Sequence, residues 1–312
     1  MKKYILSALT LLSVALFTTS CSSDEPSGNS IFRYEETEFT EFDQWLYDNF
    51  TKPYNIQFIY RYVDRETNNQ YNVVPADPEK AKALAILIKN VWIEAYETVL
   101  GQDFIKQYGP KVYQLLGSPQ YNSNGSMVLG YAENAVKITL LRVNEIDIDN
   151  LYINMTDPFR SHYDEPLDLN YWYFHTMHHE FFHILTQSKN YPTTFRQISA
   201  GHYHTADWIN VEDTQAPLEG FVTGYASGEY NEDIAEVYST YVTSTPEAWE
   251  KILALAATGD VDGTSGRDLI EQKLEIVKEY MSGTWGVDLD LLRAEVLSRA
   301  ENAPNLDLRT LN

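Results

Sequence analysis

Three histidines and a glutamate lie within six residues of the chain, in the segment HHEFFH at 178–183. His179, Glu180 and His183 form the pattern H-E-x-x-H. Histidines four residues apart lie on one face of a helix, so both imidazoles can reach a single zinc ion. The glutamate then lies beside the metal, where it can take a proton from a water. The spacing therefore indicates zinc-dependent hydrolysis, although so short a pattern also occurs by chance.

Helical geometry separates the residues around this motif into two faces. With His179 at 0°, His183 lies at about 40° and Glu180 at about 100°. The apolar side chains lie between about 140° and 240°; they are Phe174, Met177, Phe181, Ile184 and Leu185. This separation favours a helix that lines a cleft, because a histidine-rich core helix would mix the two classes. His178 falls off the metal face and is interpreted as structural. His175 is interpreted as packed or solvated, with a place behind the ligands as the alternative.

A catalytic zinc needs a third protein ligand. The extended pattern H-E-x-x-H-x-x-G-x-x-H is not followed, because Thr186 and Lys189 stand where it requires glycine and histidine. The later segment NEDIAEVYSTY (231–241) places Glu232 and Glu236 on one helical face. Glu232 is the expected ligand, and Glu236 is expected to accept the free N–H of a ligating histidine. A solvated acidic face is the alternative, and the upstream motif favours the metal site.

Composition limits the classes of function. The formal net charge of −22 argues against binding nucleic acid through phosphate neutralisation. It suits the solubility of an exported protein. The 13 Phe, 23 Tyr and 6 Trp residues predict an aromatic core and aromatic-lined grooves.

The N-terminal residues have the layout of an export signal. Lys2 and Lys3 precede an apolar run, too short and wrongly flanked for a spanning helix, so residues 1–20 are predicted to be a signal peptide. Cys21, the only cysteine, excludes a disulfide framework and resembles the lipidated cysteine of bacterial lipoproteins, with Thr18 where leucine is usual. The alternative is an ordinary signal peptide with an incidental cysteine. Residues 21–32 are predicted to be a flexible tether, and their acidic residues resemble the surface-export signal of Bacteroidetes lipoproteins.

The remaining chain, 33–312, is predicted to form one α+β domain with a small sheet, mainly helical in its second half. Asp77 can cap one long helix, Pro78 suits its first turn and Gly101 suits its end. The predicted elements are helices at 33–50, 77–101, 167–189 and from about 231, strands at 56–63 and within 126–146 around a turn at Glu133-Asn134, an irregular stretch at 190–228, and two or three C-terminal helices interrupted at 258–266.

The second motif is similar to that of the gluzincin metallopeptidases, in which N-E-x-x-x-D follows H-E-x-x-H. Asn231 and Glu232 match, whereas Glu236 replaces the aspartate and leaves its histidine partner open. The segment also resembles the catalytic domain of anthrax lethal factor, in which a tyrosine lies seven residues before the ligating glutamate. Tyr225 occupies that position. The resemblance implies that Tyr225 faces the metal and donates a hydrogen bond to the developing oxyanion.

The whole chain resembles the substrate import-associated zinc metallohydrolase lipoproteins of Bacteroidetes. The resemblance rests on YDNFTKPYNIQFIYRY (47–62), HHEFFHILTQ and GYASGEYNEDIAEVY. It implies a zincin-like fold, bound zinc, a lipid anchor in the outer membrane at the cell surface, and association with SusC/SusD-type import complexes. The family name implies hydrolysis and leaves the substrate open.

These observations favour a zinc-dependent metallopeptidase that acts on peptides or proteins. Zinc would be held by His179, His183 and Glu232, and Glu180 would be the general base. The stretch 190–228 would form one wall of the cleft, with His202, His204 and Trp208 as substrate contacts. Either of these two histidines is a competing metal ligand. The alternatives are a non-catalytic peptide- or glycan-binding lipoprotein that retains the metal site, against which an intact Glu180 argues, and a zinc hydrolase of non-peptide amides.

Overall fold

A computed structural model describes residues 38–68, 70–122, 127–128, 130–133 and 136–312. The predicted signal peptide, the tether and Cys21 lie outside the described residues. Residues Thr40–Asn312 form one compact unit. Within the described ranges, no helix is both long enough and apolar enough to span a membrane.

A small mixed sheet lies in the first half of the chain. Its order is β1-β2-β6-β5, in which β1, β2 and β6 are parallel and β5 is antiparallel to β6 at the edge. A separate antiparallel pair is formed by β3 and β4. The strands are β1 (Gln57–Ile59), β2 (Val112–Leu115), β3 (Gln120–Tyr121), β4 (Met127–Val128), β5 (Gly130–Glu133) and β6 (Lys137–Leu140).

Helices make up most of the described chain, and several contain a π-helical turn. They are α1 (Glu41–Leu46), continued by a π turn (Tyr47–Thr51) into α2 (Lys52–Tyr54); α3 (Pro78–Leu87), continued by a π turn (Ile88–Ile93) into α4 (Glu94–Leu100); α5 (Gln102–Tyr108); α6 (Thr176–Ser188), preceded by a π turn (Asn170–His175); α7 (Phe195–Ile198); α8 (Tyr230–Thr243); α9 (Pro246–Ala256); α10 (Gly266–Tyr280), followed by a π turn (Met281–Trp285); and α11 (Leu289–Asn302). The predicted α+β class, mainly helical in the second half, is confirmed.

Local capping signals explain where the long helix at 77–101 begins and ends. The Asp77 carboxylate accepts hydrogen bonds from the backbone N–H groups of Glu79 and Lys80, and Pro78 occupies the first turn. Gly101 ends the helix with φ 80°, a conformation that favours glycine. Both predicted boundaries are confirmed.

Three other predicted elements differ in extent from the structure. The helix predicted at 33–50 begins at Glu41, because Thr40 and Asp43 form a reciprocal capping box, and residues 33–37 lie outside the described residues. The strand predicted at 56–63 covers only Gln57–Ile59, the residues that pair with β2. The helix predicted at 167–189 starts with a π turn at Asn170. The stretch 190–228 contains only short turns and the single-turn α7, as predicted.

Aromatic side chains pack α6 against the first half of the chain and against α8. Phe181 of α6 packs edge-on against Trp92, with ring centroids 5.1 Å apart. Phe182 stacks on Tyr238 of α8, with centroids 4.5 Å apart. All four rings are fully buried, and each contributes roughly 1.5–3 kcal/mol through burial. This packing determines how the polar face of α6 meets α8.

Candidate metal centre

The polar faces of α6 and α8 bring two histidines and one glutamate together. His179 Nε2 lies 3.0 Å from Glu232 Oε2, and His183 Nε2 lies 3.2 Å from the same oxygen. The two Nε2 atoms are 3.0 Å apart. His179 is buried, and the other two side chains are partly buried. The three ligand atoms predicted from the sequence therefore converge on one point.

This donor set fits a zinc ion. Ligand atoms about 2.0–2.1 Å from a tetrahedral zinc lie about 3.4 Å from one another, close to the measured separations. Two imidazole nitrogens and one carboxylate oxygen form one of the usual protein ligand sets of a catalytic zinc. Three ligands from the protein leave a fourth position for water or substrate.

Glu236, one turn beyond Glu232, lies directly behind the candidate ligand His179. Its Oε1 accepts a hydrogen bond from His179 Nδ1 at 2.7 Å, and its Oε2 accepts one from the Thr223 hydroxyl at 2.6 Å. Because Nδ1 donates to Glu236, Nε2 is the nitrogen of His179 that faces the ligand cluster, and it can bind zinc once it has lost its proton. The histidine partner that the sequence left open is thus His179.

His175 belongs to the same network, which the sequence analysis gave only as the alternative. Its Nε2 lies 2.9 Å from Glu236 Oε1, the oxygen that also accepts from His179. The side chain is buried, so the interpretation as solvated is wrong and packing is only part of its role. The available signal was its spacing, four residues before His179. His175, His179 and Glu236 also offer three clustered ligand atoms, but their 2.7–2.9 Å separations are those of hydrogen bonds.

Electrostatics keep both carboxylates ionised. Burial by itself raises the pKa of Glu232, but hydrogen bonds from His179 and His183 outweigh it and hold that pKa well below its usual range. Burial acts in the same direction on Glu236, where His175 and His179 lower the pKa well below its ordinary value. Ionised carboxylates are what both metal ligation and hydrogen-bond acceptance from histidine require.

A cavity of about 370 Å³ opens beside the ligand cluster. Its lining includes His179, Glu180, Trp208 and Tyr225, together with Gly130 of the edge strand β5. The ring centroid of Tyr225 lies 5.7 Å from that of His179 and 5.0 Å from that of Trp208. Desolvation raises the pKa of Tyr225 well above its ordinary value, and the carboxylates of Glu232 and Glu180 add to the effect. The phenol is therefore protonated and able to donate a hydrogen bond at neutral pH.

Comparison with known proteins identifies the family. Residues 35–290 match the model of a family described as "putative zinc-binding metallo-peptidase". The chain belongs to this family. The chain is also similar to a crystal structure titled "putative zinc-binding metallo-peptidase" from Bacteroides caccae ATCC 43185, with 37% identity and a TM-score of 0.68 over 91% of this chain and 100% of that one. None of the curated proteins matches the chain. The predicted zinc metallopeptidase-like fold is confirmed.

His178, the first histidine of HHEFFH, has a structural role in this metallo-peptidase family member. His178 is buried, and its Nδ1 lies 2.9 Å from the Tyr96 hydroxyl, which in turn contacts the hydroxyl of Tyr238. Burial lowers the pKa of His178 to about 3, so the imidazole is neutral. The side chain thus joins α6 to the core, in agreement with the structural interpretation.

Two histidines predicted to contact substrate, His202 and His204, do not line the cavity in this family member. His202 Nε2 is 3.1 Å from Asp262, and His204 Nε2 is 2.6 Å from Glu219. Neither lines the cavity beside the ligand cluster, and neither belongs to that cluster. The backbone N–H of His204 donates to the Ser227 carbonyl, which holds His204 against the Tyr225 turn (Tyr225–Ser227). Of the three predicted substrate contacts, only Trp208 lines the cavity.

Tertiary contacts hold the Tyr225 turn and α8 in place. The backbone N–H of Gly224 donates to Asp213 Oδ1 at 2.8 Å, and a Cβ atom at Gly224 would lie 2.0 Å from the Val211 carbonyl oxygen. Only glycine allows this approach. On α8, Asp233 forms a fully buried ion pair with Lys273 of α10 at 2.7 Å. This pair fixes the start of α8, where Glu232 lies.

Proposed function

We propose that this chain is a zinc-dependent metallopeptidase that hydrolyses peptide bonds. The observation that carries the proposal is the convergence of His179, His183 and Glu232 beside a cavity that Glu180 and Tyr225 also line. Family membership supports the choice of zinc and of a peptide substrate. A purely structural metal site would need neither an adjacent carboxylate nor an open cavity.

His179, His183 and Glu232 would hold the zinc, and Glu236 would orient His179. When bound, zinc supplies a Lewis acid that polarises the scissile carbonyl and lowers the pKa of water to about 7. Glu180 accepts a proton from the attacking water and passes it to the leaving amine. The Tyr225 hydroxyl donates a hydrogen bond to the oxyanion as the carbonyl carbon becomes tetrahedral.

The edge strand β5 offers a way to align an extended peptide. It is the last strand in the order of the sheet, and Gly130 lines the cavity. A Cβ atom at Gly130 would lie 2.7 Å from Thr176 Cγ2, so glycine lets the strand approach the beginning of α6. A substrate backbone that pairs with β5 would extend past the zinc ligands, as in other cases of strand addition.

The test combines metal analysis with peptide cleavage. Wild-type protein loaded with zinc should bind one equivalent and cleave members of a mixed peptide library. The variant Glu180→Gln should retain the zinc and lose cleavage, whereas the surface control Glu301→Gln should behave as wild type. Stoichiometric zinc without cleavage of any peptide would refute the peptidase proposal and favour the non-catalytic binding lipoprotein or a hydrolase of other amides.

We also propose that the protein is exported and anchored in the outer membrane, at the cell surface, by a lipid on Cys21. The support is the sequence of residues 1–32 and the resemblance to import-associated lipoproteins. Metabolic labelling with a radioactive fatty acid should label the wild type and not Cys21→Ser. If protease added to intact cells does not digest the protein, a surface location is contradicted. If the protein does not co-purify with import proteins, the expected association with an import complex is contradicted.

A further inference from the structure

We propose that the cavity beside the metal centre selects substrates carrying a cationic group near the scissile bond, and that Glu212 determines this preference. The inference rests on the proposed peptidase function and adds a substrate class to it. The cationic group is the ammonium or guanidinium of a lysine or arginine side chain, or the ammonium at a peptide N-terminus.

The described lining of the cavity is rich in carboxylates, and its three histidines are already paired with Asp213, Glu232 or Glu236. Glu180, Glu212, Asp213 and Glu236 contribute carboxylates, and none of the described lining residues is lysine or arginine. A cavity with walls of one sign raises the local concentration of groups of the opposite sign. The net charge of −22 on the whole chain acts in the same direction over a longer range.

Most of these carboxylates already have a role. Both oxygens of Glu236 accept hydrogen bonds from the ligand network. Asp213 uses Oδ1 to hold the backbone N–H of Gly224 and places Oδ2 3.1 Å from His162 Nε2. Glu180 is the proposed general base. These three groups support the centre and leave little charge for recognition.

Glu212 differs because its carboxylate is exposed and none of the described residues hydrogen bonds or ion pairs with it. Its backbone is anchored, since its carbonyl accepts hydrogen bonds from the N–H groups of Gln215 and Ala216. The Glu212 side chain is thus available to a positively charged group of the substrate, and the backbone of Glu212 does not need to rearrange.

The position of Glu212 relates this charge to the reacting bond. The two residues that flank it, Val211 and Asp213, both touch Gly224, the neighbour of Tyr225. Trp208 packs against Tyr225 and also lines the cavity. Trp208 and Glu212 line the same cavity, and an aromatic ring and a carboxylate each attract a cation. A cavity of about 370 Å³ is within the size range of small-ligand sites.

The experiment uses zinc-loaded full-length protein and peptides that differ only in the residues flanking the cleaved bond: lysine or arginine, their neutral counterparts glutamine and methionine, or glutamate. Each is made with a free and an acetylated N-terminus. We expect kcat/KM to be higher for the cationic peptides and to be lowest for those with glutamate. Glu212→Gln should reduce the preference for cationic over neutral peptides about two- to fivefold, the effect of one exposed ion pair, and should change kcat/KM less for neutral peptides than for cationic ones. Acetylation separates the two sources of charge, because only recognition of the N-terminus is lost with it.

Binding supplies a readout that does not need catalysis. Zinc-loaded Glu180→Gln should bind cationic peptides more tightly than neutral ones, and adding Glu212→Gln should reduce that difference. The surface control Glu301→Gln should change neither cleavage nor binding. Equal kcat/KM for cationic and neutral peptides, or a preference that Glu212→Gln leaves unchanged, would overturn the role of Glu212. If no peptide is cleaved but the binding preference is present and depends on Glu212, the peptidase proposal fails and the cation selectivity stands.

Discussion

Glutamine at position 236 would test whether the carboxylate behind His179 strengthens the metal centre. Glu236 accepts hydrogen bonds from His179 at 2.7 Å, from His175 at 2.9 Å and from Thr223 at 2.6 Å. Glutamine has the same shape, so its oxygen can still face both histidines while its amide faces the threonine hydroxyl. The substitution Glu236→Gln therefore removes charge and leaves the arrangement of the side chains in place.

The magnitude follows from the contact to the ligand. A hydrogen bond to a charged group contributes about 1.5–3 kcal/mol, and a neutral one about 0.5–1.5 kcal/mol. Of the three contacts, only the one with His179 acts on a zinc ligand. Its weakening should reduce the free energy of zinc binding by about 1–1.5 kcal/mol, which raises the zinc dissociation constant roughly tenfold. This is at the lower end of the 10–100-fold effects that are typical of groups behind a metal ligand. The bonds from His175 and Thr223 contribute to the stability of the apoprotein instead.

Competition with a chromophoric chelator at fixed pH and ionic strength measures the dissociation constant. Glu301→Gln is the matched control for loss of one carboxylate charge, and Glu232→Gln should weaken zinc binding more than Glu236→Gln because it alters a ligand. Circular dichroism verifies that each variant folds. A dissociation constant within twofold of wild type for folded Glu236→Gln would refute the reasoning that this carboxylate strengthens His179 as a ligand.

Three further predictions concern other parts of the molecule. Tyr225→Phe should lower kcat about 10²–10³-fold, as expected for loss of one oxyanion donor, with zinc affinity unchanged; an equal loss of zinc affinity would contradict that role. Lys273→Met should lower the free energy of unfolding by about 3–5 kcal/mol in urea titrations, because it leaves the buried Asp233 without its cationic partner, and a loss below about 1 kcal/mol would argue against this account. At Asp43, burial raises the pKa, but hydrogen bonds from Thr40 and Arg61 lower it below the usual value. The stability this gives is complete above the unfolded-state pKa of about 3.9 and is lost as pH falls through the lower folded value. Below about pH 4, the free energy of unfolding of Asp43→Asn should therefore fall less steeply with decreasing pH than that of the wild type. The same pH dependence in both proteins would exclude this contribution.

Local sequence determined much of the site. Because a helix turns once every 3.6 residues, the spacing of His179 and His183, and that of Glu232 and Glu236, was sufficient to place each pair on one face. The capping residues Asp77 and Gly101 delimited their helix for a similar reason, since capping depends on backbone groups within a few residues. These predictions needed no knowledge of long-range contacts.

Predictions failed or remained open where the answer depended on distant residues. His175 lies four residues before His179, but only the packing of α6 against α8 shows that both donate to Glu236. The π turn before α6 was also not predicted from the sequence, because a helical wheel assumes a constant turn per residue. The parallel order of β1, β2 and β6 joins segments that are far apart in the chain, and no local pattern contains that order.

The stretch 190–228 illustrates the division best. Its glycines and prolines were enough to predict an irregular wall, since they disfavour long helices and strands. Which side chains of this wall face the cavity was decided by contacts with other elements. His204 pairs with Glu219 away from the ligands, whereas Trp208 packs on Tyr225 beside them. The sequence thus determined the ligand types and their spacing along each helix, and the tertiary structure decided their partners, because partners in space are set by how separate elements pack.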